Sequence, residues 1–306
     1  MKKHLLALVL IAGCFLTREL SVSAEVSPKN ITIQPSAKDA MTVDVQLIVQ
    51  GVKKRDYTVQ DLAAQAGATA VPALTELLAD ADARVRKLAV YCLRETNDAS
   101  AARPLISATL DVDVQVAMTA AQALLLLASS ALAPEVQRAF DRSTKPDVQR
   151  QLGLVLARIA DPADLVGMKK SWKTVNGTAK EGLTVALAKH GDIDAQQEMI
   201  RQLEQAKATD SDETLRKSQW LEYAASVSQP WLLPVLGKLL RDHEPLVYVG
   251  IDVFPDQTQH LRTCDLALLI VAKITGAKFS FTLKPARNFT SAQLNEAAGV
   301  IKSRGP

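Results

Sequence analysis

The richest group of side chains that could carry out chemistry lies between residues 242 and 264. It combines carboxylates, imidazoles and a thiol, which are groups that bind divalent metal ions in proteins. Its members are Asp242, His243, Glu244, Asp252, Asp256, His260 and Cys264. No spacing among them matches a known ligand motif, and charged loop residues are most often only solvated. We therefore predict no metal site, which metal analysis of the purified protein can check.

Other patterns of enzyme chemistry are absent from the sequence. A Gly-x-Ser-x-Gly elbow would present a nucleophilic serine, and a P-loop or dinucleotide motif would cradle phosphate groups. Neither occurs, and no cysteine stands in the motif of a catalytic thiol. From these absences the sequence predicts no catalytic residue, no cofactor and no enzymatic activity.

A second set of side chains could bind another protein. Tyr and Arg are over-represented among the residues that dominate the affinity of protein interfaces. On this ground Arg86, Tyr91 and Arg94, which lie on one predicted helix, are candidates for partner binding. Tyr248 and Phe254 add apolar bulk to a late loop, where they either fold back on the helices or meet a partner. For each of the five, a solvated or packed position is the alternative interpretation.

The elements that must position these residues follow from three columns of small and apolar residues. The columns recur every 31 or 32 residues and stand four residues apart within each repeat. This spacing marks one face of a helix, and the fixed period means that the helix stacks on copies of itself. The columns are Val85, Val116, Val148 and Ala179; Ala89, Ala120, Leu152 and Leu183; and Leu93, Leu124, Leu156 and Leu187.

The chain divides into four segments on these patterns. We predict an export signal at residues 1–24, a linker and N-terminal cap at 25–56, helical repeats at 57–276 and a C-terminal cap at 277–306. In the first repeat, Pro72 fits the first turn of a helix, and Asp80 and Asp82 form the turn before the next one. In the last segment, Thr290 and Gln293 form a capping box that starts a final helix.

The first repeat resembles a known family. Val71-Pro72-Ala73-Leu74, Leu77-Leu78, Asp80, Asp82, Val85-Arg86, Ala89 and Leu93 follow the pattern of a bacterial HEAT repeat of the short, exported type. The resemblance spans roughly Tyr57 to Gly276 and weakens along the chain. Residues 262–267, Arg-Thr-Cys-Asp-Leu-Ala, resemble the closing repeat of exported bacterial HEAT proteins.

The resemblance implies an all-α fold, a right-handed α-solenoid (HEAT-like superhelix) of about six antiparallel helix pairs with a C-terminal capping helix. In the family, the Arg after the Val and the turn Asp often tie neighbouring repeats together. Here that Arg is present as Arg86, and the equivalent positions are Ala117 and Gln149. The later junctions are therefore expected to rely more on apolar packing. The family also implies protein binding and no chemistry.

Two kinds of HEAT-like enzyme provide the contrast. The deoxyhypusine hydroxylase type holds two irons with several His-Glu pairs, whereas this chain has the one pair His243-Glu244 and four His in all. That type is therefore excluded. The bilin lyase type shares the short repeat but no motif here specifies it, so a lyase-like accessory enzyme stays an alternative.

The N-terminal segment predicts export. An apolar stretch from Leu5 to Leu16 follows two lysines, and small residues precede a cleavage site after Ala24. The alternative is an outer-membrane lipoprotein with a lipid on Cys14, because Ile11-Ala12-Gly13-Cys14 resembles a lipoprotein signal. Either signal places the body of the protein outside the cytoplasm, in the periplasm or secreted. Contact with a membrane is expected only through the signal segment or this lipid.

The charge balance completes the prediction of function. The formal net charge is +3, from 36 Lys and Arg against 33 Asp and Glu, and this gives no domain-wide basic excess for nucleic acid. The sequence therefore predicts a non-enzymatic, exported scaffold that binds a protein partner in the bacterial cell envelope. A periplasmic inhibitor or immunity-type binding protein, and the lyase-like enzyme, are the alternatives.

Overall fold

The computed structural model describes residues 43–206, 211–246, 261–284 and 288–304. These described residues fall into two compact units, residues 43–196 and residues 197–304. No strand occurs in the described ranges, where a single bridge pairs Pro245 with Arg262. The helices of the first unit are α1 (Val45–Lys54), α2 (Val59–Ala66), α3 (Val71–Glu76), α4 (Ala83–Glu95), α5 (Ala102–Ala108), α6 (Val114–Leu127), α7 (Ala133–Arg142), α8 (Pro146–Ile159), α9 (Leu165–Thr174) and α10 (Thr178–Lys189). Helix α11 (Ile193–Gln205) spans the boundary, and the second unit adds α12 (Ser211–Val227), α13 (Leu233–Leu239), α14 (Thr263–Thr275) and α15 (Ser291–Ser303).

The repeat columns form the core of the first unit. They lie on α4, α6, α8 and α10, the second helices of four consecutive pairs whose first helices are α3, α5, α7 and α9. All residues of the three columns are buried. Side chains four residues apart share one face of a helix, and the stacking of the pairs removes that face from water. The prediction of an all-α, HEAT-like array of helix pairs is confirmed.

In the first pair (α3 and α4) and the second (α5 and α6), the same Asp-x-Asp turn joins the first helix to the second. In each turn the first carboxylate accepts the N–H of the second Asp at 2.8 Å, which joins Asp80 to Asp82 and Asp111 to Asp113. The second carboxylate then accepts the N–H two residues further on, again at 2.8 Å, and so caps α4 or α6. An N-cap of this kind contributes about 1 kcal/mol of helix stability.

Neighbouring pairs are also tied by cations that reach back by one repeat. Arg158 donates to the carbonyl oxygens of Leu124, at 3.3 Å, and Ala128, and Lys189 donates to that of Ala157 at 3.0 Å. These carbonyl groups lie at the C-terminal ends of α6 and α8, where the helix dipole favours positive charge. The expectation that later junctions rely more on apolar packing is corrected, because cations at other positions of the repeat supply the polar ties.

Helices α8 and α10 approach each other closely at two glycines. A Cβ atom on Gly182 would lie 2.1 Å from the carbonyl oxygen of Arg150, and one on Gly153 would lie 2.5 Å from the carbonyl carbon of Gly182. The absence of both side chains therefore sets the distance between the two backbones. As a consequence, α10 is buried without a break over residues 182–188.

Helix α1 lies in the segment predicted as the linker and N-terminal cap. The helix forms because Asp44 caps it, accepting the N–H of Gln46 at 2.8 Å, and because Ile48 and Val52 lie four residues apart. Both apolar side chains are fully buried, which anchors α1 to the first unit.

One stretch of the described residues, Val59–Ala79, is long and apolar enough to cross a membrane by length and composition alone. It is not one continuous α-helix, because α2 and α3 are separated by a short 3-10 turn that begins at Gly67, with φ of 54°. The buried side chains of Ala63, Leu74 and Leu77 belong to the core of the first unit. This stretch is therefore accounted for by packing between helices.

The second unit ends with the predicted capping helix. The hydroxyl of Thr290 accepts the N–H of Gln293 at 3.4 Å, and the side chain of Gln293 accepts the N–H of Thr290 at 2.8 Å. This reciprocal pair starts α15 at Ser291, as the sequence predicts. Leu294 and Ala297 are buried where α15 packs on α13 and α14.

Candidate partner-binding surface

Helix α4 carries the candidate partner-binding residues of the first unit. Its column side chains, with Leu88 and Cys92 between them, are buried on one side. Residues at i, i+3, i+7 and i+10 share the other side of a helix. These residues are Arg84, Lys87, Tyr91 and Arg94, and we call them the α4 stripe. The stripe is at least partly exposed along its whole length.

Two tyrosines and an arginine meet at the C-terminal half of the stripe. The ring of Tyr91 lies 6.5 Å from that of Tyr57, and the guanidinium carbon of Arg94 lies 5.4 Å from the centre of the Tyr91 ring. Arg94 also pairs with Glu95, with Nε 2.9 Å from the carboxylate oxygen. Tyr57 is 50% exposed. The sequence did not single out Tyr57, because no local pattern relates it to a residue 34 positions away.

Arg86 is placed differently from Tyr91 and Arg94. Its Nε and Nη2 donate to the two carboxylate oxygens of Asp111 at 2.7 and 2.8 Å, and its Nη1 donates to the carbonyl oxygens of Asp80 and Ala81. Its side chain is only 11% exposed. The guanidinium is thus used within the chain, and we do not retain Arg86 as a partner-binding residue. It ties one repeat to the turn Asp of the next, as the HEAT resemblance implies.

The remaining predicted site residues lie outside the described residues. Tyr248 and Phe254 fall in residues 247–260, and Cys14 falls in residues 1–42. The export signal and its cleavage after Ala24 fall there too. These predictions therefore stay predictions.

In the second unit, the polar group at residues 242–264 is organised by a buried lysine. Lys217 on α12 is only 4% exposed, and its ammonium group pairs with Asp242 and, at 3.1 Å, with Glu244. The two carboxylates therefore share one cation of the chain. No cluster of three or more His, Cys, Asp or Glu arranged to hold a metal ion occurs among the residues that the structure describes. Asp252, Asp256 and His260 lie outside that part of the chain.

Cys264, the thiol of the polar group at residues 242–264, is not activated as a nucleophile. Cys264 is fully buried, with Sγ 3.5 Å from Nδ1 of His243. Burial, helped by the nearby charge of Asp265, raises the pKa of Cys264 to about 11. Burial likewise raises the pKa of Cys92 in the first unit to about 12. Both side chains are therefore protonated near neutral pH, whereas the thiolate is the reactive form and the form that binds metals.

Arg262 and Asp265, from the predicted closing-repeat motif, hold the C-terminal segment. Asp265 is fully buried and accepts from Arg262 at 2.8 and 2.9 Å and from the N–H of Phe289 at 2.8 Å. Arg262 donates to the carbonyl oxygen of the same Phe289 at 2.7 Å. The backbone N–H and carbonyl groups of Phe289 are therefore both hydrogen-bonded to this pair. The motif explains how the cap is attached in this chain.

Glu222 on α12 is a titratable group that the sequence did not single out. Its side chain is partly buried, and burial raises its pKa to about 7. A carboxylic acid with a pKa near neutrality can act as a general acid or base. Sequence alone gives no sign of this, because the shift comes from the packing around the helix.

No protein-family model matches the chain, and no curated protein matches it in sequence. Among solved structures, the chain is similar to the complex of CpcE and CpcF of phycocyanin lyase from Nostoc sp. PCC7120, with a TM-score of 0.49 and 14% identity. The match covers 92% of this chain and 99% of the other.

This comparison contradicts the prediction that the chain is not an enzyme, because the matched helical structure belongs to a lyase. That prediction rested on the absence of nucleophile, phosphate-binding and cofactor motifs. Such motifs report a few well-known site geometries and do not cover the chemistry that a helical-repeat surface can support.

Proposed function

We propose that this chain is exported and binds a protein partner through the surface formed by Tyr57, Tyr91 and Arg94. The observation that carries the proposal is the contact of two tyrosine rings and a guanidinium group at the surface of the first unit. Tyr and Arg are among the side chains that most often dominate the affinity of an interface. The core face of α4 is already filled by the repeat columns, so this second face remains for recognition.

The geometry of the three side chains also favours binding. Each ring and the guanidinium group restrict one another, so a partner that contacts them removes less side-chain freedom than it would from isolated residues. A tyrosine ring offers apolar contact area together with a hydroxyl group for hydrogen bonding. The surface is therefore suited to a partner that presents both apolar and polar groups.

Site-specific photo-cross-linking in cells tests this proposal. A photoreactive phenylalanine derivative in place of Tyr91 is expected to give a discrete cross-linked protein. The same derivative at the exposed Arg138 on α7 is the matched control and should not give that product. Tyr57→Ala should weaken the product at position 91, whereas Val166→Ala, which changes another exposed apolar side chain, should leave it unchanged. Equal cross-linking at both positions, or none at position 91, would contradict the proposal.

Export is tested on the same material. We expect the protein in the cell envelope or medium, with a mature N-terminus at Glu25 if the signal is cleaved after Ala24. A lipid on an N-terminal Cys14 would identify the alternative signal. Mass spectrometry of the mature N-terminus distinguishes the two, and an intact cytoplasmic chain would contradict export.

A second candidate is a lyase-like role, by analogy with the matched phycocyanin lyase complex. The observation in this chain that bears on it is Glu222, whose pKa is raised to about 7 by burial. Purified protein would be incubated with apo-phycocyanin and a free bilin, and covalent attachment followed by absorbance after denaturation. Attachment that depends on the protein and is slowed by Glu222→Gln would support this candidate. No attachment above the rate without protein would exclude it for this substrate.

A further inference from the structure

The N-terminal half of the α4 stripe carries positive charge where a helix disfavours it. The dipole of a helix places partial positive charge at its N-terminus, so cations in the first turns reduce stability. Arg84 lies in the first turn of α4 and Lys87 at the start of the second, and the first turn contains no acidic residue. The third cation of this region, Arg86, is compensated by its pair with Asp111. The side chains of Arg84 and Lys87 form no ion pair or hydrogen bond within the described residues.

The surroundings of these two cations do not neutralise them. On one side, Arg55 reaches the N-terminal end of α4, where its guanidinium lies 3.6 Å from the carboxylate of Asp82. On the other side, α6 carries uncharged residues at the corresponding positions 31 residues on. These are Gln115, Met118 and Gln122. Of the acidic groups near the stripe, Asp82 is paired with Arg55 and caps α4, Glu95 is paired with Arg94, and Asp111 is paired with Arg86.

We propose that the segment bound at the α4 stripe is an acidic stretch of a protein partner. Its carboxylates would pair with Arg84 and Lys87, and an apolar or aromatic side chain would pack on Tyr57 and Tyr91. This inference rests on the proposed protein-binding function and adds the chemistry of the partner. The unfavourable placement of Arg84 and Lys87 is then balanced in the complex by charges that the free chain does not supply.

The size of the stripe defines the segment. Ten residues separate Arg84 from Arg94, and at 1.5 Å per residue the stripe is about 15 Å long. A partner helix of about three turns covers this length. A nucleic acid is the less suitable polyanion, because tight binding to it uses about six to ten phosphate contacts. The stripe offers three cations, of which Arg94 is already paired with Glu95.

The test uses a labelled peptide of about 12 residues with glutamates on one face and Leu and Trp on the other. Matched peptides replace every glutamate by glutamine or by lysine. Fluorescence anisotropy with the purified protein is expected to give affinity at least about tenfold higher for the acidic peptide than for the glutamine peptide. Raising the salt concentration from about 50 to about 300 mM should weaken binding of the acidic peptide, because salt screens exposed charges.

Charge-reversal variants locate the binding. The double variant Arg84→Glu and Lys87→Glu should lower the affinity for the acidic peptide about tenfold, which is about 0.7 kcal/mol for each lost pair. Arg138→Glu with Arg142→Glu is the matched control, because it changes the net charge equally at two exposed cations one turn apart on α7. The control should alter the affinity less than about twofold. Thermal unfolding followed by circular dichroism would verify that both variants are folded.

The outcomes separate this inference from the proposed function. Equal losses in the two double variants, or equal binding of the acidic and lysine peptides, would overturn the acidic-partner proposal. A cross-linked partner at position 91 whose yield is unchanged by Arg84→Glu and Lys87→Glu would also overturn it, while leaving the proposed function intact. Absence of any cross-linked partner at position 91 is the result that contradicts the proposed function itself.

Discussion

Replacing Gly182 by Ala tests the close approach of α8 and α10. The added Cβ would lie 2.1 Å from the carbonyl oxygen of Arg150 and 2.9 Å from Cα of Gly153. Both neighbours are backbone atoms, so no side-chain rotation relieves the clash, and the helices must separate by about 1 Å to reach van der Waals distance. Over-packing of this kind costs about 1–3 kcal/mol, and lost contacts between the column leucines increase that cost.

The opposing effect is smaller. Ala has a higher helix propensity than Gly, which stabilises α10 by about 1 kcal/mol. We therefore expect Gly182→Ala to lower the free energy of unfolding by about 2 kcal/mol. The measurement is urea unfolding of the purified protein, followed by far-UV circular dichroism.

Gly167→Ala on α9 is the matched control. Nothing lies within 4 Å of its added Cβ, so only the gain in helix propensity, about 0.5–1 kcal/mol, is expected. A Gly182→Ala protein as stable as the wild type would refute the reasoning. So would an equal loss of stability in the two variants, because the control has no clash.

Three further predictions concern ionisable groups. Arg262→Ala leaves the buried Asp265 without its cation and should cost about 3 kcal/mol in urea unfolding, whereas Arg103→Ala, which breaks an exposed pair, should cost less than about 1 kcal/mol. Burial raises the pKa of Glu222 from 4.5 to about 7, so its contribution to stability is lost as pH rises through that window. Glu222→Gln should therefore raise the melting temperature at pH 8 more than at pH 5. Asp111→Ala leaves Arg86 unpaired and should lower the urea midpoint, and a midpoint equal to wild type would contradict the repeat tie.

The array of helix pairs could be predicted because its determinants are local and periodic. Each column residue is buried for the same reason as its counterpart one repeat away, so the pattern is repeated four times in the sequence. Helix starts were also predictable where one side chain caps the backbone a few residues on, as Thr290 does at α15. These features can be predicted from the local sequence without knowing which distant residues are in contact.

The candidate site was less predictable because it depends on contacts across repeats. The ring contact of Tyr57 with Tyr91 spans 34 residues, and the pair of Arg86 with Asp111 spans 25, so neither is visible as spacing within a helix. The sequence therefore treated Arg86 and Tyr91 alike, although one is used inside the chain and the other faces outward. Lys217 was missed for the same reason, since its partners Asp242 and Glu244 follow a whole helix later.

The buried thiols have a consequence for the life of the protein after synthesis. Burial raises the pKa of Cys92 to about 12 and that of Cys264 to about 11, so both thiols are protonated at neutral pH. Oxidants and disulfide-exchange catalysts attack the ionised form, so both residues would react far more slowly than an exposed cysteine. If the chain folds before it meets the oxidising catalysts of its compartment, or soon after, both cysteines would stay reduced. These two cysteines would then need no disulfide isomerase to correct a wrong pairing between them.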